Sequence, residues 1–399
     1  MKNQIRSGSP TYFTKLDISN FYWPLILPEH LQQDFIFYSA RRHQAYAFKR
    51  LPFGYNLSVA IASDALHQLI EPIRPYLDCH VAQYIDDLLL TAHSPLAVST
   101  ATTRVQQSIL ANKLFIASKS STTPSPSIEW LGKIINSNPP SIYNTVRSTT
   151  SLLAHWLLFA SHTRVSTKDA QRFRGSIIWC GIHHRLHLPY LSPLHRIACS
   201  DLPTACPSTT DRRYILHAII LANRPWSPNE ALWSPPPANT PLAYCDATTK
   251  LGALFIPSSN ATFTWKIPKH AAINQQAAEL WTCIQSIKIV STLNPAHALG
   301  SDSMTSLHSI ISLSCPSFNE RRAQLLRALS RSLRLLHRPL PVFWVQSELN
   351  PADAPSRGRP TDPHTLAPSR FTNDLCKPDH RGPNRAACLP ASSSRAIPI

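Results

Sequence analysis

Short apolar runs, broken by single acidic residues or by Pro and Gly, recur along the first 140 residues. The sharpest lies at residues 82–90, AQYIDDLLL, where the adjacent Asp86 and Asp87 separate two apolar runs. Such runs on both sides of a short polar step predict two strands and a tight turn. Successive side chains of a strand face opposite ways, so the two aspartates are expected to have different roles. Alone, the pair has two interpretations, a ligand set for a divalent ion or a hairpin cap.

Two more patterned segments precede this hairpin. Residues 14–22, TKLDISNFY, end a short apolar stretch at Asp17. Residues 50–58, RLPFGYNLS, form a Pro/Gly turn that opens onto an apolar helix, predicted to reach about Gln68 with Ser58 as one candidate for its cap. A further hairpin is predicted on either side of the basic tip RRHQ, which either contacts phosphate or is a solvated turn.

Helices dominate the pattern that follows. The predicted elements are a helix over residues 98–114, a hairpin over 128–135, a helical segment over 141–198, and a short connection over 200–222. Metal-ligating residue types cluster within the helical segment, at Cys180, His183, His184 and His187. Their spacing is crowded and lacks the paired arrangement of structural zinc sites, so histidines at a helix end or facing phosphate are favoured over zinc ligands.

A second domain begins after a Pro-rich linker. Residues 223–241 include SPPP, which is typical of a stiff linker at a domain boundary. Beyond it, the pattern predicts three strands, a helix, a strand, a helix and a strand. Their predicted ranges are 242–246, 252–256, 261–267, 274–287, 298–302, 319–338 and 342–345.

Four acidic residues mark these elements and the motif after them: Asp246, Glu279, Asp302 and Asp353. Any one of them alone could be a helix cap or a turn residue. Two-metal phosphodiester hydrolysis uses cations about 3.5–4 Å apart, and a single carboxylate cannot fix both. Four converging carboxylates could, so the set predicts such a cage.

The helix predicted over residues 319–338 is basic and amphipathic. One face carries Arg327, Arg331, Arg334 and Arg338, and the other carries Leu326, Leu329, Leu333 and Leu336. It either follows a nucleic-acid backbone or is an ordinary solvated face. Residues 359–399 are rich in Pro, Arg, Ser and Ala without periodicity, which predicts a disordered basic tail.

Charge identifies the class of partner. The 399 residues include 39 Lys and Arg against 22 Asp and Glu, a formal net charge of +17. Such an excess predicts a polyanionic partner, most simply nucleic acid, and it makes the few acidic residues informative. The nine cysteines show no regular framework, which favours a reducing compartment. The sequence shows neither the apolar core of a signal peptide nor a run of about 20 apolar residues, so no membrane partner is expected.

The motifs stand in the order of those of a known polymerase family. LDIS at 16–19, PFGYNLS at 52–58 and YIDD at 84–87 resemble the palm motifs of reverse transcriptases. With CDAT at 245–248 and LNPADAPSRG at 349–358, residues 14–358 resemble the polymerase protein of hepadnaviruses and of their fish-virus relatives.

The resemblance implies a multidomain α/β and α+β fold, with a right-hand polymerase palm, partial fingers and a thumb, followed by an RNase H-like fold. The family's protein-priming domain, spacer and first fingers segment have no counterpart here, so the priming mechanism is not predicted. The implied boundaries are 1–140 for palm and partial fingers, 141–222 for thumb and connection, 223–241 for the linker, 242–358 for the RNase H-like domain and 359–399 for the tail.

The resemblance also implies two activities, RNA- and DNA-directed DNA synthesis and ribonuclease H cleavage. Each site would use two Mg²⁺, with Mn²⁺ as a substitute. The implied ligands are Asp17, Asp86 and Asp87 in the first site, and Asp246, Glu279, Asp302 and Asp353 in the second. Residues implied to contact nucleotide or template are Tyr22, Gly54, Ser58, Tyr84 and Lys119.

Two of these roles have ordinary alternatives. Tyr22 is either a gate against the 2′-hydroxyl of an incoming nucleotide or a core tyrosine. Lys119 is either the donor of a proton to leaving pyrophosphate or a surface lysine. The implied partners are an RNA template, DNA primer and product, RNA–DNA hybrid, deoxynucleotides and a viral capsid, in a nucleocapsid in the host cytoplasm. A retrotransposon polymerase and a truncated, catalytically impaired remnant that only binds nucleic acid remain as alternatives.

Overall fold

The chain folds into two compact units that divide between residues 231 and 232. The computed structural model describes residues 11–226, 240–295, 297–314, 320–333 and 341–361. Within these ranges, every helix is too short or too polar to cross a membrane.

The first unit contains twelve of the described strands and seven of the described helices. The strands are β1 (Tyr12–Ser19), β2 (Ile36–Ser39), β3 (Gln44–Ala47), β4 (His80–Tyr84), β5 (Asp87–Ala92), β6 (Phe115–Ile116), β7 (Ser121–Ser125), β8 (Ser127–Trp130), β9 (Lys133–Ser137), β10 (Pro140–Asn144), β11 (Val165–Ser166) and β12 (Thr204–Ala205). The helices are α1 (Glu29–Gln32), α2 (Ser58–Ile70), α3 (Pro95–Ala111), α4 (Val146–Ser161), α5 (Thr167–Gly181), α6 (Ser192–Ala198) and α7 (Thr209–Ala222).

A central antiparallel sheet organises this unit. Its strand order is β4-β5-β1-β6, and β7 also pairs with β1. Strand β5 is apolar at three successive positions because both faces of the sheet are covered. Leu88 and Leu90 pack in one core cluster with residues of α2 and α3, whereas Leu89 packs on the opposite face with Phe13 and Ile135. The alternation of a strand therefore divides one run of leucines between two cores.

Two predictions for residues 141–222 are wrong. Residues predicted to begin a helical segment at 141 instead form β10, which pairs with β9 in a separate three-stranded sheet with β8. The predicted connection over 200–222 contains α7, which begins at a capping box formed by Ser208 and Asp211. The side chain of each of these two residues bonds the backbone N–H of the other, a sequence signal for a helix start.

The start of the predicted linker belongs to the core of the first unit. Trp226 is buried and packs with Phe13, Leu89 and Ile128. Its backbone N–H donates to the carbonyl of Ile142 at 2.8 Å, and its carbonyl accepts from the Ile142 N–H at 3.0 Å. The first residues of the range predicted as a linker, 223–241, therefore belong to a packed unit. The division between the two units falls later in that range.

We expect Trp226→Ala to lower the free energy of unfolding of this unit by about 3–5 kcal/mol, because it empties a buried site that neighbouring side chains only partly refill. Urea-induced unfolding of the full chain measures the loss. The matched control is Trp23→Ala, since Trp23 is 45% exposed, and it should cost about 1 kcal/mol or less. Equal losses in the two variants would contradict a core role for Trp226.

The second unit is a mixed sheet with helices. Its described elements are β13 (Leu242–Ala247), β14 (Leu251–Ile256), β15 (Ala261–Lys266), α8 (Gln275–Val290), β16 (Ala298–Ser301), α9 (Met304–Ser312), α10 (Glu320–Leu333), β17 (Val342–Trp344) and α11 (Asp353–Ser356). The strand order is β15-β14-β13-β16-β17. The first three strands are antiparallel, and β16 pairs in parallel with both β13 and β17.

The helices of this unit differ from the prediction in two respects. Helix α9 was not predicted, since its nine residues are fewer than the roughly 11–18 over which a helical period is recognised. Helix α10 covers Glu320–Leu333 of the predicted 319–338, and Arg327 is buried in an ion pair with Glu320 rather than on a solvated basic face. The remaining predicted positions, Arg334, Leu336, Arg338 and the tail beyond 361, lie outside the described residues.

Candidate active sites

Three carboxylates meet at one end of the central sheet of the first unit. Asp17 in β1 faces Asp87 in β5 as its antiparallel register partner. Asp86 lies in the turn before β5, and its carbonyl accepts a hydrogen bond of 3.2 Å from the Ile18 N–H. Asp17 is buried, and the other two aspartates are half-buried. The sheet register thus places Asp17 beside two adjacent aspartates that follow it about 70 positions later in the chain.

The turn that presents Asp86 has an unfavourable backbone conformation. Ile85 has a φ of 58°, in the left-handed region that β-branched residues rarely adopt. The Gln83 side-chain amide donates to the Ile85 carbonyl at 3.2 Å and to the Ser63 carbonyl of α2 at 2.8 Å. These bonds fasten the turn to the helix beneath it, and surrounding structure of this kind is what maintains a strained residue.

The electrostatics of this site favour a bound cation. Burial, a hydrogen bond with Asp17 and the negative charges of Asp17 and Asp86 together raise the pKa of Asp87 to about 6. Lys119 Nζ lies 2.7 Å from Asp17 Oδ2, and this contact raises the pKa of Lys119. One lysine, whose side chain is 69% exposed, neutralises only part of three carboxylates. A divalent ion would relieve the remaining repulsion.

The donor chemistry of the site fits Mg²⁺. This ion prefers carboxylate oxygens and usually takes only one or two from protein while it keeps several waters. In the described ranges, no three His, Cys, Asp or Glu side chains converge closely enough to enclose an ion in this conformation. The fit therefore rests on clustered carboxylates rather than on a closed coordination cage.

Tyr22 lies beside the carboxylates. Burial and the negative charge of Asp86 raise the pKa of its hydroxyl. Its ring packs edge-on against Phe53, with centroids 5.0 Å apart, and Phe53 is mostly exposed. Tyr22 is thus a half-buried aromatic facing the acidic site, a position compatible with either of its two interpretations.

The predicted contact residues differ in their surroundings. Gly54 has a φ of 86°, which favours glycine, and the space around it is open. Ser58 is buried and donates to the Pro52 carbonyl at 2.7 Å, so its hydroxyl fastens the turn and is not available to a template. Ser58 is also not the cap of α2, because Leu57 holds that position. Tyr84 is half-exposed in the hairpin, and its ring lies 5.7 Å from that of Trp179.

The cluster of Cys180 and three histidines is part of a packed interior. His183, His184 and His187 are buried, and His183 Nε2 lies 2.9 Å from the carbonyl of Arg224. Burial lowers the pKa of His187 to about 3, so this imidazole is neutral at physiological pH. Burial removes the interpretation of phosphate-facing histidines and leaves a packing role at the end of α5.

A second acidic site lies at the carboxyl ends of two parallel strands. Cys245 of β13 pairs with Ser301 of β16, so the next residues along the two strands, Asp246 and Asp302, lie at the same end of these strands. Ligands of α/β sheets commonly bind outside the carboxyl ends of strands. The parallel register of β13 and β16 therefore places two predicted ligands, one from each strand, next to each other.

Helix α8 packs against the end of β13 with the face that carries Glu279. The Gln275 side-chain amide donates to the carbonyl of Ala247, the residue after Asp246. Glu279 lies one helical turn beyond Gln275 and therefore on the same face. Ala278 also packs with Ala247 in a small apolar cluster. These contacts direct the Glu279 face of the helix toward the end of β13.

The motif that contains Asp353 folds back onto β13. Asn350 is buried, and its side-chain amide donates to the carbonyl of Cys245 at 3.1 Å. The Ser356 hydroxyl donates to Asp246 Oδ2, which fastens α11 to the first carboxylate. Both residues lie within the motif, but neither was predicted to have a role. Each is a polar residue three positions from the predicted ligand Asp353, in a segment otherwise rich in Pro and Ala. That arrangement is the sequence feature from which a supporting role could have been predicted.

Charges at this edge are closely coupled. Burial, together with the charges of Asp302 and Asp353, raises the pKa of Asp246 to about 7, and the hydrogen bond from Ser356 opposes this rise. Asp302 Oδ2 accepts from the Ser347 hydroxyl at 2.6 Å. Asp353 forms a bidentate ion pair with Arg357, with distances from 2.8 to 3.0 Å. The coupling indicates that these three aspartates lie near one another.

Removal of divalent ions should make the stability of this unit depend on pH. Because the pKa of Asp246 is raised from its ordinary 3.8 to about 7, the folded state binds more protons than the unfolded state between about pH 4 and pH 7. We therefore expect the free energy of unfolding in EDTA to fall by up to about 4 kcal/mol as the pH rises through that window. Chemical unfolding at pH 4 and pH 8 measures the fall. Asp246→Asn should flatten the dependence, and an equally steep dependence in that variant would contradict the assignment.

Comparison with known proteins gives one family match. Residues 2–135 match the family model described as reverse transcriptase (RNA-dependent DNA polymerase). The matched segment contains Asp17, Asp86 and Asp87.

Solved structures of a foamy viral protease-reverse transcriptase are also similar. Its dRH form in complex with double-stranded DNA is 15% identical to this chain, with a TM-score of 0.47. The matched region covers 87% of this chain and 59% of the foamy viral chain. Its complex with an RNA/DNA hybrid is 14% identical, with a TM-score of 0.47, and covers 84% of this chain and 44% of that one. This chain thus spans 59% and 44% of the length of these two chains.

Proposed function

We propose that this chain is a viral reverse transcriptase of the hepadnavirus type, which copies RNA and DNA templates into DNA and cleaves the RNA of RNA–DNA hybrids. The observation that carries the proposal is the pairing of Asp17 with Asp87 across β1 and β5, with Asp86 in the adjoining turn, inside the segment that matches the reverse transcriptase family. Phosphoryl transfer is catalysed mainly by positioning and charge stabilisation, which clustered carboxylates supply together with their metal ions.

Asp17, Asp86 and Asp87 would hold two Mg²⁺, with Mn²⁺ as a substitute. When bound, these ions supply charge neutralisation at the phosphoryl group and orient the attacking and leaving oxygens. The protein's own residues position the reactants. The turn at Ile85, fastened by Gln83, keeps the Asp86 backbone in place.

Lys119 is the proposed donor of a proton to leaving pyrophosphate. Its raised pKa keeps the proton at Nζ, and its exposed side chain is free to leave Asp17 when that carboxylate binds a cation. Gly54 and Tyr84 would contact the template or nucleotide, since both are accessible in the described structure. Ser58 is not proposed for this role, because its hydroxyl is bonded inside the turn.

Tyr22 is proposed as the gate against ribonucleotides, since its ring lies beside Asp86. We expect Tyr22→Ala to increase the use of ribonucleotides relative to deoxynucleotides about tenfold or more, because a steric barrier to the 2′-hydroxyl is removed. The ratio of kcat/KM for the two nucleotides measures it. Tyr22→Phe keeps the ring and serves as the control, and an unchanged ratio in Tyr22→Ala would leave Tyr22 as a core residue.

Ribonuclease H activity is proposed for the second unit. The strand order β15-β14-β13-β16-β17, antiparallel first and then parallel, supports an RNase H-like fold. Asp246, Asp302 and Asp353, together with Glu279 on the adjoining face of α8, would bind the second pair of Mg²⁺. Ser356 and Asn350 would orient this set through their bonds to β13.

The proposed partners follow from the two reactions. They are deoxynucleotides, an RNA template, a DNA primer and product, and an RNA–DNA hybrid, which the net charge of +17 favours. A viral capsid is a further proposed partner, and the proposed location is the nucleocapsid in the host cytoplasm.

The test is to assay the purified chain with Mg²⁺ on a primed RNA template and on a labelled RNA–DNA hybrid, with EDTA as the metal-free control. Extension and cleavage that both stop in EDTA are expected. Cleavage without extension would restrict the proposal to the second unit. Salt-sensitive binding without either reaction would replace it with a remnant that binds nucleic acid. Integrase or recombinase coding next to the gene would favour a retrotransposon polymerase.

A further inference from the structure

The hydrogen-bond ladder on one side of β1 is interrupted at Asp17. Strand β6 pairs with β1 from Ile18 onward, whereas β7 pairs with it at Phe13 and Lys15. Asp17 lies between these two stretches, so neither strand supplies a partner for its backbone N–H and carbonyl groups. Asp17 is buried, and a buried backbone group without a hydrogen-bond partner is costly, so another segment has to pair with it.

A β-turn over residues 117–120 supplies these partners. The turn is closed by the Ser120 N–H, which donates to the Ala117 carbonyl at 3.0 Å. The Ala117 N–H donates to the Asp17 carbonyl at 2.7 Å. The Asp17 N–H donates to Ser120 Oγ at 3.0 Å, and the Ser120 hydroxyl lies 3.5 Å from the Asp17 carbonyl oxygen. One hydroxyl group thus contacts both backbone groups of Asp17.

The same turn carries Lys119. Its Nζ lies 2.7 Å from Asp17 Oδ2, although the lysine side chain is mostly exposed. Because Ser120 follows Lys119 directly, the bond between Ser120 and β1 also fixes the point at which the lysine side chain leaves the backbone. The turn therefore contacts both the backbone and the carboxylate of Asp17, and Ser120 joins the two contacts.

The other side of β1 is held independently of this turn. Asp17 is the register partner of Asp87 in β5, and the Ile18 N–H donates to the Asp86 carbonyl at 3.2 Å. These contacts do not involve Ser120, so loss of its hydroxyl should leave β1 paired with β5. A single hydrogen bond contributes little to the stability of a folded unit, and the first unit should therefore stay folded without it.

We propose that Ser120 is a positioning residue for DNA synthesis, because its hydroxyl fixes Asp17 and the turn that carries Lys119 in one arrangement. The inference rests on the proposed polymerase function. Ser120 acts through Asp17 and does not touch the substrate. Ligands of a catalytic metal ion must be held close to their productive geometry by the residues around them, and small displacements of reacting groups are costly. Loss of the Ser120 hydroxyl should therefore slow the chemical step.

The test compares Ser120→Ala with Ser120→Thr and with wild type. We expect Ser120→Ala to lower kcat for primer extension about tenfold and to raise the Mg²⁺ concentration for half-maximal extension about threefold or more. The KM for primer–template should not change, because Ser120 makes no contact with nucleic acid in this proposal. Ser120→Thr keeps the hydroxyl and should recover most of kcat. Ser118→Ala removes an exposed hydroxyl of the same turn and is the matched control, with extension at the wild-type rate.

Two measurements do not depend on activity. Hydrogen exchange in Ser120→Ala should rise in peptides covering residues 14–19 and should stay at the wild-type level in peptides covering residues 84–92. Titration of the full chain with Mn²⁺, followed by electron paramagnetic resonance, should show weaker binding in Ser120→Ala. An Asp302→Asn background, which weakens the second site, assigns this loss to the first.

A third variant covers the case in which Ser120→Ala does not fold. Ser120→Cys fills the space of the hydroxyl with a weaker hydrogen-bonding group, so it should fold and lower kcat by a smaller factor. In that case an unchanged kcat in Ser120→Cys overturns the inference, and a lowered kcat supports it.

The remaining outcomes are distinguishable. Folded Ser120→Ala with wild-type kcat, Mg²⁺ dependence and hydrogen exchange overturns the inference while the proposed function stands. A raised KM for primer–template with unchanged kcat also overturns it, since Ser120 would then act on nucleic acid and not through Asp17. So does an equal loss of kcat in Ser118→Ala. Absence of extension by the wild-type chain overturns the proposed function itself, and hydrogen exchange and Mn²⁺ binding then decide whether Ser120 positions Asp17.

Discussion

Replacing Asp86 with Asn is expected to slow primer extension by about three orders of magnitude, because a lost metal ligand removes several kcal/mol of stabilisation from the transition state. The substitution keeps the shape of the side chain, and the contacts of the turn are backbone bonds that it does not alter. The fold should therefore persist. Single-turnover extension of a primed RNA template, at saturating Mg²⁺ and deoxynucleotide, measures the rate.

Two controls make this result specific to the first site. Asp201→Asn changes an exposed aspartate of the same unit and should extend primers at the wild-type rate. Cleavage of an RNA–DNA hybrid by Asp86→Asn should also be unchanged, because that reaction is assigned to the other unit. Retention of more than about a tenth of the extension rate would show that Asp86 is not a metal ligand.

The second large effect is expected at Asp302. Asp302→Asn should lower the rate of hybrid cleavage by about three orders of magnitude while primer extension continues. The Asn side chain keeps an oxygen that can accept from the Ser347 hydroxyl, so the change removes charge rather than a hydrogen bond. It should also lower the pKa of Asp246, because the charge of Asp302 is one of the causes that raise it.

Cleavage of a labelled hybrid under single-turnover conditions measures this effect. Glu348→Gln is the matched control, since Glu348 is an exposed acid next to Ser347. Loss of cleavage in both variants would point to a general change of surface charge. Loss of extension together with cleavage in Asp302→Asn would contradict two independent active sites.

The sequence was most informative where strand periodicity and single acidic residues coincided. Asp17, Asp86 and Asp246 each lie at the end of an apolar run, so their placement at strand ends followed from local pattern. That Asp17 meets Asp87, and that Asp246 and Asp302 lie at the same end of β13 and β16, depends on register between distant strands. Register is set by the burial of whole faces, and the pattern of one segment does not contain it.

Residues whose environment depends on tertiary contacts were not predicted correctly. Ser58 has the composition of a helix cap, yet its hydroxyl bonds a carbonyl of the preceding turn. Arg327 repeats at the spacing of a basic face, yet Glu320 pairs with it inside the unit. Lys133 was predicted only as part of the hairpin over 128–135. A single lysine in such a segment gives no sign that its ammonium group will be buried and will donate to Asn144 Oδ1 and to the Cys180 carbonyl.

The position of Trp226 has a consequence for biosynthesis. This side chain completes a core cluster whose other members begin with Phe13, near the opposite end of the unit. A ribosome delivers Asp17 and Asp86 early, but the tryptophan that completes this core cluster arrives about 140 residues after Asp86. Domains generally fold as units during synthesis, so the nascent first unit should remain incompletely packed until that residue emerges. A chaperone that binds exposed apolar strands would find its substrate in this interval, and its release should coincide with synthesis of the segment between the two units.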